Sequence, residues 1–189
     1  MLSGRRLDLL DPRPEDIAIE DIAHGLARVA RWNGQTIGLN PFSVAQHSVL
    51  VERAAGLLEP GLSAAERLAA LLHDTPEYVI GDLISPFKTV MDHAYRAVEE
   101  RLLVAIHLRF GLPASTGPDL AAVIKQADRV AAFLEAVELA GFARDEAVRF
   151  FGEPPARVSR MLGRLRPSRA PTAEQLFLSR FMALTAGGA

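Results

Sequence analysis

The sequence predicts an all-α fold, a compact multi-helix bundle. Three observations carry this expectation. Ala and Leu supply much of a hydrophobic content of 49%, and together with Glu and Arg they are strong helix formers. Apolar residues recur at three- and four-residue spacing along most of the chain, and no segment shows a convincing alternation of period two. Capping boxes and glycine stops punctuate the periodic segments. At 189 residues the chain is expected to form one domain, long enough to bury a core.

Residues 1–19 are rich in Pro and Asp and are expected to form an irregular arm. A first helix starts near Glu20, with Ile22, Leu26 and Val29 on one stripe, and should end at the Asn33-Gly34 turn signal. A second starts at Ser43, where Ser43-Val44-Ala45-Gln46 fits a capping box. Its apolar stripe passes through Val44, His47 and Val51, which puts His47 on the inward face. Ser63-Ala64-Ala65-Glu66 is another capping box, and the helix it opens runs through Leu68, Leu71 and Leu72 into His73-Asp74. Pro76 would remove a backbone hydrogen bond and clash inside a helix, at ~3 kcal/mol or more. The helix must therefore kink or stop near Asp74, with Thr75 capping a new turn and Pro76 at its first position.

Gly81-Asp82 reads as a turn and Ser85-Pro86 as a further helix start. A long helix should cover about 92–110 and stop at Gly111, ahead of Pro113. Another should run from Asp119 to Gly141, carrying Leu120, Ile124, Ala127, Ala131, Leu134 and Val137. Shorter helices are expected over 143–151, 155–165 and 172–185, the last capped at Thr172. The Ala-Gly-Gly-Ala tail is expected to fray. The division along the chain is an arm over 1–19, a core over 20–140 and accessory C-terminal helices over 141–189.

Net charge is −2, which gives no general attraction to a nucleic-acid polymer. The absence of cysteine rules out disulfides, thiolate zinc sites and a cysteine nucleophile. Charge interrupts the first residues at once, so no signal core is expected, and no run approaches the ~18 apolar residues of a membrane span. The expectation is a cytoplasmic protein.

The chemistry concentrates in three places. His47 lies on an apolar stripe, His73-Asp74 ends an apolar helical run, and Asp128 follows in Lys125-Gln126-Ala127-Asp128. Taken singly, each has an ordinary explanation: a satisfied core histidine, or an Asp128–Lys125 ion pair one helical turn apart. Together they place imidazole and carboxylate groups, which suit Zn, Mn, Fe, Co or Ni, at inward or helix-terminal positions of three helices. A buried carboxylate without a partner costs several kcal/mol or is neutralised, and a cation removes that cost.

The ordered set Arg31-Trp32, Val44-Ala45-Gln46-His47-Ser48, Leu72-His73-Asp74-Thr75-Pro76-Glu77, Gly81-Asp82-Leu83, Pro86-Phe87-Lys88 and Lys125-Gln126-Ala127-Asp128 resembles the HD-domain metal-dependent phosphohydrolases, and among them the bacterial 5′-deoxynucleotidases. The likeness covers about residues 20–140. It implies an HD-domain bundle with one divalent metal ion (Mn, Co, Zn, Ni, Fe or Mg) on His47, His73, Asp74 and Asp128. It implies Glu77 as the acid or base that handles the attacking water, Arg31 as a phosphate contact, Asp82 as a sugar contact and Trp32 against the nucleoside. The implied substrate is a small nucleotide, and a homodimer is a family-level expectation. Gln46 departs from the pattern, which often has Glu before the first histidine.

From the residues alone, Arg31 reads equally as a basic residue at a helix end, Glu77 as an exposed carboxylate on a first turn, and Asp82 as an ordinary turn residue. His24 and His107 read as surface or interface residues. His93, near a helix start, could approach a phosphate. Arg157, Arg160 and Arg164 form a basic stripe, extended by Arg166 and Arg169, which reads as a solvated face paired to acids or as a patch for an acidic partner. Phe177, Phe181 and Leu184 read as core or dimer contacts.

The function expected is hydrolysis of a (deoxy)nucleoside 5′-monophosphate. Two alternatives stand beside it. One is an HD hydrolase of another phosphate ester, such as a nucleoside triphosphate or an alarmone. The other is a non-catalytic helical interaction module with a structural metal.

Overall fold

The computed structural model describes residues 1–83 and 92–186, without the side chains of 92–94. The expected helix start at Ser85-Pro86, the Pro86-Phe87-Lys88 motif, the side chain of His93 and the final residues 187–189 lie outside it. The helices in chain order are α1 Ile19–Leu26, α2 Val44–Leu58, α3 Ala64–Leu71, α4 Glu77–Ile80, α5 Asp92–Arg109, α6 Pro118–Glu138, α7 Arg144–Phe151, α8 Ala156–Leu162 and α9 Ala170–Thr185. Short 3-10 turns cover Pro14–Asp16 and Arg31–Gly34. Among the described residues the strand-like pairing is one isolated antiparallel bridge, Ala30 to Ser43. The all-α expectation holds.

Helix α2 is the axis of the bundle. It packs against α3, α6, α8 and α9, and its residues are buried from Val44 through Glu52. α6 lies along it, and α9 closes the other side against α1 and α3. The C-terminal helix is thus part of the core: Ala173, Phe177, Phe181 and Leu184 are buried, and the Phe181 ring meets Phe110 edge-on at 4.9 Å. The apolar spacing of Phe177, Phe181 and Leu184 is explained by this packing.

Local signals set several boundaries as expected. Ser63 and Glu66 form the reciprocal capping box, and Gly111 and Gly141 adopt the left-handed conformation just past α5 and α6. Other boundaries are set by tertiary contacts. The first helix ends at Leu26, seven residues before the Asn33-Gly34 stop, because the backbone of 29–31 pairs with 42–44 instead: Val44 N–H donates to Val29 O at 3.0 Å and Arg31 N–H to Phe42 O at 2.8 Å. At Ser43 half of the capping box forms. The Ser43 hydroxyl accepts from Gln46 N–H, but the Gln46 amide turns away, donating to Arg166 O and accepting from Ser168 N–H. Thr75 does not cap forward; its hydroxyl donates back to Leu72 O. Thr172 lies inside α9, which starts at Ala170 with Pro171 in its first turn.

His107 is a correction to the surface reading. It is buried, because its Nδ1 donates to Pro113 O at 3.1 Å across the Gly111 turn. His24 is partly exposed and lies 3.3 Å from Glu174 of α9. The basic residues Arg157, Arg160, Arg164, Arg166 and Arg169 are exposed but pair with no acid among the described residues. The expected helix over 155–165 ends at Leu162, with Gly163 at positive φ, so the stripe is broken before Arg164.

A buried ion cluster, unforeseen in the sequence, clamps the bundle away from the histidines. Glu52, fully buried on α2, takes both oxygens to Arg180 of α9 at 2.7 Å and one to Arg67 of α3. Glu52→Ala would leave two arginines converging on an apolar gap. Both reach solvent in part, so the expected loss sits near the low end of the ~3–5 kcal/mol for breaking a buried pair. Chemical denaturation would check this; a loss under about 1 kcal/mol would show that the clamp is a surface pair in energetic terms.

Candidate metal centre

Three elements converge at the N-terminal end of α2. His47 sits one turn into α2, fully buried. His73 and Asp74 lie in the turn of 72–76, which the Pro76 break releases from α3. Asp128 projects from the middle of α6. The Asp74 Oδ2 atom is 3.1 Å from His73 Nε2 and 3.3 Å from His47 Nε2, and Asp128 Oδ1 is 3.2 Å from His47 Nε2. The ligand atoms of His47, His73 and Asp128 lie within 4.8 Å of one another. Asp128 therefore faces the histidines rather than Lys125, against the ion-pair alternative.

These distances fit a shared cation. Ligands at roughly 2.1 Å from an ion stand about 3.0 Å apart when adjacent and about 4.2 Å when opposite. The hydrogen bonds point the same way. His47 Nδ1 faces Glu135 Oε1 at 2.6 Å, and His73 Nδ1 donates to Ala70 O at 2.9 Å. A carbonyl only accepts, so in a neutral His73 the Nε2 keeps its lone pair. Both Nε2 atoms are buried and neither makes an aligned hydrogen bond. Metal-bound histidines ordinarily commit the second nitrogen to a carboxylate or carbonyl in this way. His47, His73 and Asp128 bring ligand atoms close enough to hold a divalent cation, and Asp74 Oδ2 lies beside both Nε2 atoms. Asp74 and Asp128 remain partly exposed, which leaves the centre open on their side.

Glu135 is a member of the cluster that the sequence reading missed. It is fully buried on α6, seven residues and two turns after Asp128. Its Oε1 meets His47, and its Oε2 accepts from Trp32 Nε1 at 2.9 Å and Arg31 Nε at 3.3 Å. The signal was an acid among the apolar residues Ala131, Ala132, Phe133, Leu134 and Ala136 of α6.

Arg31 is brought to the centre by the Ala30–Ser43 bridge. Its Nη1 contacts Asp82 Oδ2 at 3.1 Å. Burial pulls the guanidinium down, but Glu135, Asp82, Asp74 and Asp128 raise its pKa beyond the ordinary value. Trp32 packs edge-on against Phe142 at 5.5 Å and Phe151 at 6.1 Å. Trp32 and Asn33 both adopt left-handed backbone, with φ of 56° and 51°. Asn tolerates this; a bulky residue is held there at about 1–3 kcal/mol. Glu77 opens α4 and is 1% exposed, which overturns the reading of an exposed first-turn carboxylate. α4 reaches this depth because it presses on α1 at Gly25, where a Cβ would lie 2.7 Å from Tyr78 O.

The carboxylates reshape the titration of the centre. Burial and Arg31 push His47 down, but Glu135, Asp128 and Asp74 win and hold it well above the usual imidazole range. Burial raises Asp74, Asp128 and Glu135, yet the facing side chains hold each below the usual carboxylate range: His73 and His47 for Asp74, His47 for Asp128, His47 and Arg31 for Glu135. With the His47 value raised, its contribution to the metal-free fold is full below about pH 6.5 and fades as pH rises through the folded value. With the carboxylate values lowered, theirs is present above about pH 4 and fades on acidification. A cation must displace the His47 proton, so its affinity should rise with pH across the neutral range. Zinc titration near pH 7 is expected to release about one proton per ion, read as a binding heat that varies with buffer ionisation enthalpy. A heat independent of buffer would contradict this.

No family model matches the chain. An uncharacterized protein of Rhodobacter capsulatus is similar to it, 57% identical over 168 residues that span 88% of this chain and 86% of that protein. The chain belongs to the same family as that protein.

Proposed function

We propose that the family to which this chain and its Rhodobacter relative belong is one of metal-dependent phosphohydrolases of the HD-domain type, acting in the cytoplasm on the phosphate ester of a small nucleotide. The substrate class we assign is the (deoxy)nucleoside 5′-monophosphates. The observation that supports the reading best is the pair of buried Nε2 atoms of His47 and His73, which converge on the carboxylates of Asp74 and Asp128 with Arg31 one carboxylate away. The motif order of the sequence, which resembles the 5′-deoxynucleotidases, supplies the substrate class.

A divalent cation held there would supply Lewis acidity toward a phosphoryl oxygen and would acidify a water. The chain's own residues would do the rest. Arg31 Nε is committed to Glu135 and Nη1 to Asp82, so the guanidinium is held in one plane, ready to bind phosphoryl oxygens as a fork. Asp82 would exchange its bond to Arg31 for one to the sugar as phosphate arrives. Glu77 would take the proton of the attacking water as its oxygen bonds to phosphorus. It would return that proton to the ester oxygen as the P–O bond breaks, giving a nucleoside and orthophosphate.

A phosphate-release screen tests this. Metal-stripped protein is reconstituted with Mn, Co, Zn, Ni or Mg and given ribo- and deoxynucleoside mono-, di- and triphosphates. Orthophosphate from monophosphates only, dependent on added metal, is the expected result. Release from triphosphates alone would shift the substrate to another phosphate ester. Full metal retention with no release from any nucleotide would favour the helical interaction module.

A further inference from the structure

We infer that Glu135 is a positioning residue that couples the cation ligand His47 to the Arg31–Trp32 turn, so that occupancy of the metal centre sets the geometry of the substrate clamp. This rests on the reading of His47 as a metal ligand. Three donors share this one buried carboxylate: His47 Nδ1–H, Trp32 Nε1–H and Arg31 Nε–H. Only an acceptor-only group can satisfy all three. An amide offers one oxygen, and its NH2 would face a donor. The bond to His47, at 2.6 Å, is short and charge-assisted, and it aims Nε2 at Asp74 and Asp128. The second oxygen anchors a turn that Trp32 would otherwise leave, since its left-handed backbone is unfavourable for a bulky side chain. A shift of the His47 ring on taking a cation must therefore move through one rigid carboxylate to the indole and the guanidinium.

The chain carries a single tryptophan, so the coupling can be read directly. In wild-type protein, Zn²⁺ is expected to displace the single indole N–H resonance and to change the tryptophan fluorescence in step with binding. Glu135→Gln is expected to keep its helical content but to bind Zn²⁺ 10- to 100-fold more weakly, the usual effect of losing a partner behind a metal-bound histidine. In that variant the residual binding should leave the indole signal in place. A role confined to stability would not abolish this spectroscopic response.

Wild-type-like Zn²⁺ affinity in Glu135→Gln, or a wild-type indole resonance that is identical with and without Zn²⁺, would overturn the inference while leaving the metal centre standing. Failure of the wild type to bind Zn²⁺, Mn²⁺ or Co²⁺ in equilibrium dialysis would overturn both. Should Glu135→Gln not fold, the wild-type resonance and Trp32→Phe decide. That change removes the indole N–H and keeps an aromatic ring, and it should lower Zn²⁺ affinity several-fold; unchanged affinity would count against the coupling.

Discussion

Asp74→Ala should abolish metal retention. Its Oδ2 lies 3.1 Å from His73 Nε2 and 3.3 Å from His47 Nε2, and among the described residues it is the side chain in contact with both imidazoles. Removing it takes away one ligand and one negative charge, and it leaves Asp128 as the one carboxylate ligand. Structural zinc sites in zinc-finger peptides reach apparent energies of ~10–16 kcal/mol, and loss of a charged ligand here is expected to lower affinity by several orders of magnitude. The fold should survive, because Asp74 lies in a partly exposed turn and anchors no helix. Purified variant with undiminished metal content, measured by elemental analysis, would remove Asp74 from the ligand set.

Glu77→Gln should have the second largest effect and the opposite signature. The metal stays and turnover falls by about 10²–10⁴-fold, the range for losing a positioned general acid or base. Two features make the amide the informative change. Glu77 is buried at the head of α4, so a shorter residue would open a gap and confuse a chemical loss with a structural one. The amide also keeps the shape and cannot take up a proton from water. Metal content should match the wild type, and kcat should carry most of the loss. Wild-type rates would exclude Glu77 from proton transfer, and loss of both metal and activity would make it a structural or ligand residue instead.

Much of this architecture was legible because it depends on near neighbours in the chain. The Ser63–Glu66 box and the stops at Gly111 and Gly141 involve residues within one turn of each other. Pro76 forces the break that frees His73 and Asp74 wherever the rest of the chain goes. The convergence of His47, His73, Asp74 and Asp128 was legible for a related reason: a histidine on an apolar stripe and an acid ending one are polar groups that burial must compensate.

What escaped the reading depends on contacts between distant residues. The first helix stops at Leu26 because its continuation pairs with residues 42–44. Gln46 leaves its capping box for a segment 120 residues away. His107 is buried by a bond to a carbonyl across a turn. Glu135 and Glu52 are the instructive omissions. Each is a buried acid with apolar residues on either side of it in the chain or one turn away, and each has partners on other helices. The arginine stripe erred the other way, since its expected acidic partners are absent among the described residues.

The central claim is that His47, His73, Asp74 and Asp128 hold one divalent cation. Anomalous diffraction from crystals grown with Zn²⁺, recorded on either side of the zinc edge, tests it most directly. The account predicts one strong peak about 2.0–2.2 Å from His47 Nε2, His73 Nε2 and a carboxylate oxygen of each aspartate. The absence of a peak at that position in crystals saturated with zinc, or a peak bound elsewhere with the two Nε2 atoms left vacant, would contradict it.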